Sequence, residues 1–122
     1  MFEPSTLVLY VENTGLSSQF YENLLGLKPR EDSPSFHAFL LSKGIVLGLK
    51  ETNTVEPPVE EKGMSELAFT VESKERVDAL FKEWQAKGIK MILNPSELTY
   101  GYGFVALDLD GHRLRVVSLK KS

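Results

Sequence analysis

Cysteine is absent from all 122 residues, which excludes disulfide bonds, thiol nucleophiles and thiolate metal sites together. Histidine is almost as scarce. The two imidazoles are His37 and His112, and His112 falls in a turn, so there is no histidine pair at metal-ligand spacing. Long apolar runs are missing too, and no segment approaches the roughly 20 residues that a membrane-spanning helix requires. The opening MFEPSTLVLYVEN places Glu3 before a short apolar run, where a signal peptide would place basic residues before a long one. A surplus of positive charge is also lacking. With 14 basic against 17 acidic residues, interspersed, the net charge of −3 offers no broad basic face to nucleic acid. These exclusions leave a cytoplasmic protein with a small-molecule ligand as the expectation. The length favours a single compact domain that buries roughly two-thirds of the unfolded chain's surface.

What is present is a weak internal repeat. Thr6 to Asn13 (TLVLYVEN) and Glu66 to Ser73 (ELAFTVES) share an apolar rhythm, and each runs straight into a helical pattern. Ala38 to Lys50 and Phe104 to Ser118 then each read as two strands around a turn, with Gly44 matching Gly111 and Gly48 matching Arg115. The offset between copies drifts from about 60 to about 67 residues, as loop-length changes between duplicated modules would produce. Each half reads strand, helix and three more strands. The expected fold is therefore α+β: two βαβββ modules forming a curled mixed sheet with a cup-shaped cavity. Module one spans about 5–51, a linker rich in proline and charge about 52–64, and module two about 65–119.

Local signals fill in the modules. In the first strand, Leu7, Leu9 and Val11 form the better core face, leaving Thr6, Val8 and Tyr10 free to line something. Asn13 is a candidate N-cap, and Leu16, Phe20, Leu24 and Leu25 form an apolar stripe that Gly26 terminates. In the second helix, after Ser73, the spacing of Val77, Leu80, Phe81 and Trp84 makes Trp84 a core residue. Lys90 to Leu93 reads as a short strand, and Asn94 to Gly103 as a loop carrying two tyrosines.

With the SSQFYENLLGLK segment (Ser17 to Lys28) and the closing LDGHRLRVV, the chain resembles the vicinal oxygen chelate superfamily of glyoxalase I, extradiol dioxygenases and bleomycin-resistance proteins. The resemblance implies paired modules that curl into cups, commonly assembled across a homodimer. It also implies a divalent metal in the enzymes, held by side chains from the first and last strands of each module. Here those positions fall at Thr6, Gly48, Glu66 and Arg115, of which only Glu66 is a usable anionic donor. Neither a metal nor another cofactor is expected, and no catalytic residue can be named. Glu66 and Arg115 read either as a structural ion pair or as a cation aimed at a ligand with its counter-charge. Truncating either is expected to be costly, by leaving a buried unpaired charge.

The bleomycin-resistance branch, the nearer likeness, stacks flat heteroaromatic drugs on a Trp-Gly before the seventh strand and on an aromatic of the third. The matching residues are Tyr100-Gly101, with Tyr102 close by, and the Phe36 to Phe39 strand. A two-residue Lys43-Gly44 turn would pair Phe39 with Gly48 and turn Phe39 to the cup, whereas a three-residue loop would turn Phe36 inward. The first arrangement is the expectation, giving Tyr10, His37, Phe39, Gly48, Glu66, Tyr100, Tyr102 and Arg115 as ligand-binding residues. For each aromatic the competing reading is ordinary core packing. The function expected by resemblance is non-catalytic sequestration of a planar aromatic drug or antibiotic. The alternatives are a metal-dependent glyoxalase- or dioxygenase-type enzyme with atypical ligands, and a structural dimer whose cup is filled by its own side chains.

Overall fold

The computed structural model describes residues 3–61, 63 and 65–120. The chain divides into two compact units, Met1–Lys62 and Gly63–Ser122. The first contains β1 (Thr6–Val11), α1 (Thr14–Leu25), β2 (Arg30–Ser33), β3 (Phe36–Leu40) and β4 (Val46–Glu51). The second contains β5 (Glu66–Thr70), α2 (Lys74–Ala86), β6 (Met91–Leu98), β7 (Gly101–Leu107) and β8 (Arg113–Leu119). Each unit is one open four-stranded mixed sheet, in the orders β1-β4-β3-β2 and β5-β8-β7-β6. The α+β class and the paired βαβββ modules expected from the sequence are both present.

Pairing registers make the duplication concrete. β1 runs parallel to β4 with Thr6 opposite Val46 and Val8 opposite Gly48; β5 runs parallel to β8 with Glu66 opposite Arg113 and Ala68 opposite Arg115. Thr6 thus corresponds to Glu66 and Gly48 to Arg115, the offsets of 60 and 67 residues seen in the bare sequence. Both helices start where capping chemistry permits. Asn13 Oδ1 accepts from the Leu16 amide at 2.9 Å, and Ser73 Oγ accepts from the Arg76 amide at 3.1 Å. Gly26, with φ 70°, closes α1 in the left-handed conformation that glycine adopts without strain.

Helix α1 lies on its sheet with a different face from the one expected. Thr14, Ser17, Ser18 and Tyr21 are its buried residues, while Leu16 is 56% exposed and Phe20, Leu24 and Leu25 are only half-buried. The leucine stripe is thus displaced to the flank, and three small hydroxyl side chains with Tyr21 face the strands. Beneath α1, Leu9, Val11, Phe39, Leu47 and Leu49 form the unit's core; Leu7, expected among them, is 46% exposed. In the second unit Trp84 is core, as its spacing indicated. It is 4% exposed and meets Phe69 and Phe104 edge-on at centroid distances of 5.7 and 5.3 Å.

The segment 94–103 is another correction. It is not a loop: β6 continues to Leu98 and β7 begins at Gly101, so only Thr99 and Tyr100 turn the chain. Pro95 is tolerated because β6 is an edge strand and its pairing slips between Leu93 and Ser96, where no ladder hydrogen bond is demanded of it.

Candidate functional site

Strand alternation sorts each sheet into a helix-covered face and an open face. In the first unit the open face carries Val8 and Tyr10 from β1, Gly48 from β4, and Phe36, Ala38 and Leu40 from β3. The β3–β4 register decides this, because Ala38 is paired with Gly48 and Phe39 with Leu47. The chain between them turns through Ser42–Gly44, with Lys43 at φ 74° and Gly44 at φ 79°, and the Leu41 amide donates to the Ile45 carbonyl at 2.8 Å. This is the three-residue loop, which brings Phe36 to the open face.

His37 and Phe39 are accordingly corrected to the helix side. Phe39 is fully buried in the core. His37 is 7% exposed and lines a cleft of about 320 Å³ beneath α1 with Ser18, Gln19, Glu22, Lys28 and Glu31. Its Nε2 lies 3.7 Å from Glu31 Oε1. Gly48 has a spatial reason to be glycine, since the Phe36 ring fills the volume a side chain would occupy. Tyr10 and Val8, 40% and 41% exposed, leave the open face apolar.

In the second unit, three of the expected residues meet. Arg115 on β8 is half-buried and donates from Nη1 to the Tyr100 hydroxyl, while its Nη2 lies 3.3 Å from Glu66 Oε1. Its guanidinium carbon stands 5.5 Å from the centroid of the Tyr100 ring, within cation–π range. Both readings of the Glu66–Arg115 pair are thus geometrically served: the charges are paired, and the pair lies on the open face. The pair is not deeply buried, however. The Glu66 side chain is 40% exposed and that of Arg115 18%, so truncating Arg115 leaves a carboxylate that water reaches, whereas truncating Glu66 leaves the more buried guanidinium with the Tyr100 hydroxyl as its remaining partner.

Tyr102 departs from expectation. In register with Ser118, it points to the helix side, where its hydroxyl donates to Asp78 Oδ1 at 2.7 Å and its ring lies 5.6 Å from Lys74 Nζ. Lys74 in turn pairs with Glu97 at 2.5 Å. The hydrogen bond to Asp78 is the main cause that raises the phenol's pKa above its ordinary value, with burial and the Asp78 and Glu97 charges acting in the same direction. Tyr102 ties β7 to α2 and is removed from the open face.

The open-face residue that the sequence reading passed over is Arg113. It lies two residues before Arg115 on β8 and opposite Glu66, and period-two spacing on an alternating strand was the signal that could have found it.

A scan for family relationships matches residues 4–116 to the glyoxalase/bleomycin resistance protein/dioxygenase superfamily. The chain belongs to this superfamily. It is 32% identical over 119 residues to the phenazine antibiotic resistance protein EhpR of Enterobacter agglomerans, covering 95% of this chain and 92% of that one. Among solved structures, an Agrobacterium tumefaciens protein determined by solution NMR is 44% identical with a TM-score of 0.90, covering 99% of this chain and all of that one. A glyoxalase/bleomycin resistance protein/dioxygenase from Nocardioides shares the fold at 18% identity, with a TM-score of 0.85 over the whole of this chain and 86% of its own.

The superfamily's enzymes use a divalent metal, and the residues here do not fit one. Thr6 offers only a hydroxyl, Gly48 offers no donor and has a phenyl ring against it, Arg115 is a cation, and Glu66 is engaged with that cation. Among the described residues, no three histidine, aspartate or glutamate side chains are grouped as a metal site. No described helix is long and apolar enough to cross a membrane.

Proposed function

We propose that this protein sequesters a planar polycyclic aromatic antibiotic of the phenazine class by stoichiometric capture, without turnover. The observation that carries this reading is the identity with a phenazine antibiotic resistance protein over nearly the full length of both chains. The site chemistry supports it. Each unit carries open-face aromatics of its own, Tyr10 and Phe36 in the first and Tyr100 in the second, and offset stacking on a flat ring contributes about 0.5–1.5 kcal/mol per pair beyond burial. Arg115, preset by Tyr100 and Glu66, offers a planar cation with hydrogen-bond donors.

The exposed apolar face of Val8, Tyr10 and Leu40 supports a homodimer. Sedimentation equilibrium should give twice the 13.7 kDa chain mass, and a monomer at micromolar concentration would count against the assembly.

Calorimetry with phenazine and its simple derivatives tests the function. One ligand should bind per chain, and mass spectrometry of the released ligand should find it chemically unchanged. No heat up to the ligand's solubility limit, or conversion of the ligand into a product, would overturn the reading.

A further inference from the structure

We infer that Arg113 anchors an anionic group of the ligand, so that the preferred class is a planar aromatic carboxylate and not a neutral heteroaromatic. The inference rests on the binding reading above and deepens it.

The paired strands β5, β8 and β7 place three charged side chains on the open face of the second unit: Glu66, Arg113 and Arg115. Two of the three satisfy each other, since Arg115 divides its donors between Glu66 and the Tyr100 hydroxyl. The Arg113 guanidinium has no ion pair or hydrogen bond among the described residues. One carboxylate against two guanidinium groups leaves a surplus positive charge, and that surplus sits at Arg113.

Its position gives the charge a place to act. Arg113 lines a cleft of about 500 Å³ together with Gly63, Ser65, Glu66, Ile92 and Leu107. A volume in the range of roughly 300–1,000 Å³ suits a small organic ligand. Ile92, 43% exposed, and Leu107 supply apolar wall for the edge of a flat ring. Arg113 supplies a rigid fork of donors that matches a carboxylate in bidentate geometry, for which a neutral amide is a poor substitute. Glu66 lines the same cleft, but its charge is balanced by Arg115 at 3.3 Å, so it does not cancel the attraction.

The test is calorimetry of the full chain with phenazine-1-carboxylate and with its neutral isostere phenazine-1-carboxamide, at pH 7 and at two ionic strengths. The parent should prefer the carboxylate by about tenfold or more, with the preference shrinking at high salt. R113Q should bring the two affinities to within about threefold, with the larger loss in carboxylate binding, and R113K should restore part of the preference as a point charge. Arg113 is exposed, so both variants are expected to fold, and circular dichroism checks this. Equal binding of the two compounds by the parent, or a tenfold preference surviving in R113Q, overturns the inference while the sequestration reading stands. Binding of neither compound overturns both.

Discussion

The Phe36 ring occupies the space in which a side chain on Gly48 would begin: a Cβ built on Gly48 would lie 2.6 Å from Phe36 Cζ and 2.8 Å from Cε1. Gly48→Ala must therefore move the ring. Because Phe36 is half-exposed, the ring can swing toward solvent, and the cost should fall at the low end of overpacking penalties, about 1 kcal/mol. Adding Phe36→Leu should recover most of that loss in urea unfolding, a coupling that a double-mutant cycle reads directly. A Gly48→Ala protein with unchanged stability and ligand affinity would contradict the contact.

The two phenylalanines of β3 should separate by role. Phe39 is fully buried, so Phe39→Ala should destabilise the fold by about 3–5 kcal/mol. Phe36→Ala should unfold within about 1 kcal/mol of the parent yet bind a phenazine about 1 kcal/mol more weakly, from the lost stacking. Tyr100→Ala should resemble Phe36→Ala. If Phe36→Ala and Tyr100→Ala proteins both bind as tightly as the parent, neither unit's open face stacks on the ligand.

Tyr102 makes a pH-dependent contribution whose sign follows from its raised pKa. A neutral phenol donating to Asp78 is favoured in the folded state, so its stabilisation is complete below the unfolded value of about 10 and is lost as pH rises through the folded value. The stability gap between the parent and Tyr102→Phe should hold constant up to about pH 9 and narrow above about pH 10. Denaturant titrations at pH 8 and pH 11 provide the comparison. Ligand affinity at neutral pH should be unchanged in Tyr102→Phe, since the hydroxyl faces α2.

Glu66→Gln should cost about 1 kcal/mol of stability, since the pair is partly exposed and Arg115 keeps its hydrogen bond to the Tyr100 hydroxyl. It should also strengthen capture of an anionic ligand by removing the one negative charge on that face. Unfolding at ambient temperature, or weaker binding of a phenazine carboxylate, would show that the carboxylate has a role other than counter-charge to Arg115.

The sequence by itself determined the duplicated modules, the helix caps and the face of β1, because each rests on local chemistry. Alternation separates Val8 and Tyr10 from Leu9 and Val11, Asn13 and Ser73 can cap the helices that follow, and the 60- and 67-residue offsets reappear in the strand registers. Glu66 and Arg115 were legible as partners through the family resemblance, which places both at metal-ligand positions of the superfamily. Only the tertiary structure decided which aromatic of β3 lies on the open face. Ser42-Lys43-Gly44 suits either a two- or a three-residue turn, and the outcome depends on Lys43 adopting a left-handed φ of 74°, which its residue type does not signal. One residue of register exchanges Phe36 for Phe39. The rotation of α1 was hidden likewise, since its buried face carries Thr14, Ser17 and Ser18, which an apolar stripe does not select. Tyr102 could be placed only once β7 was known to begin at Gly101, because strand parity then turns its ring toward Asp78 and away from Arg115.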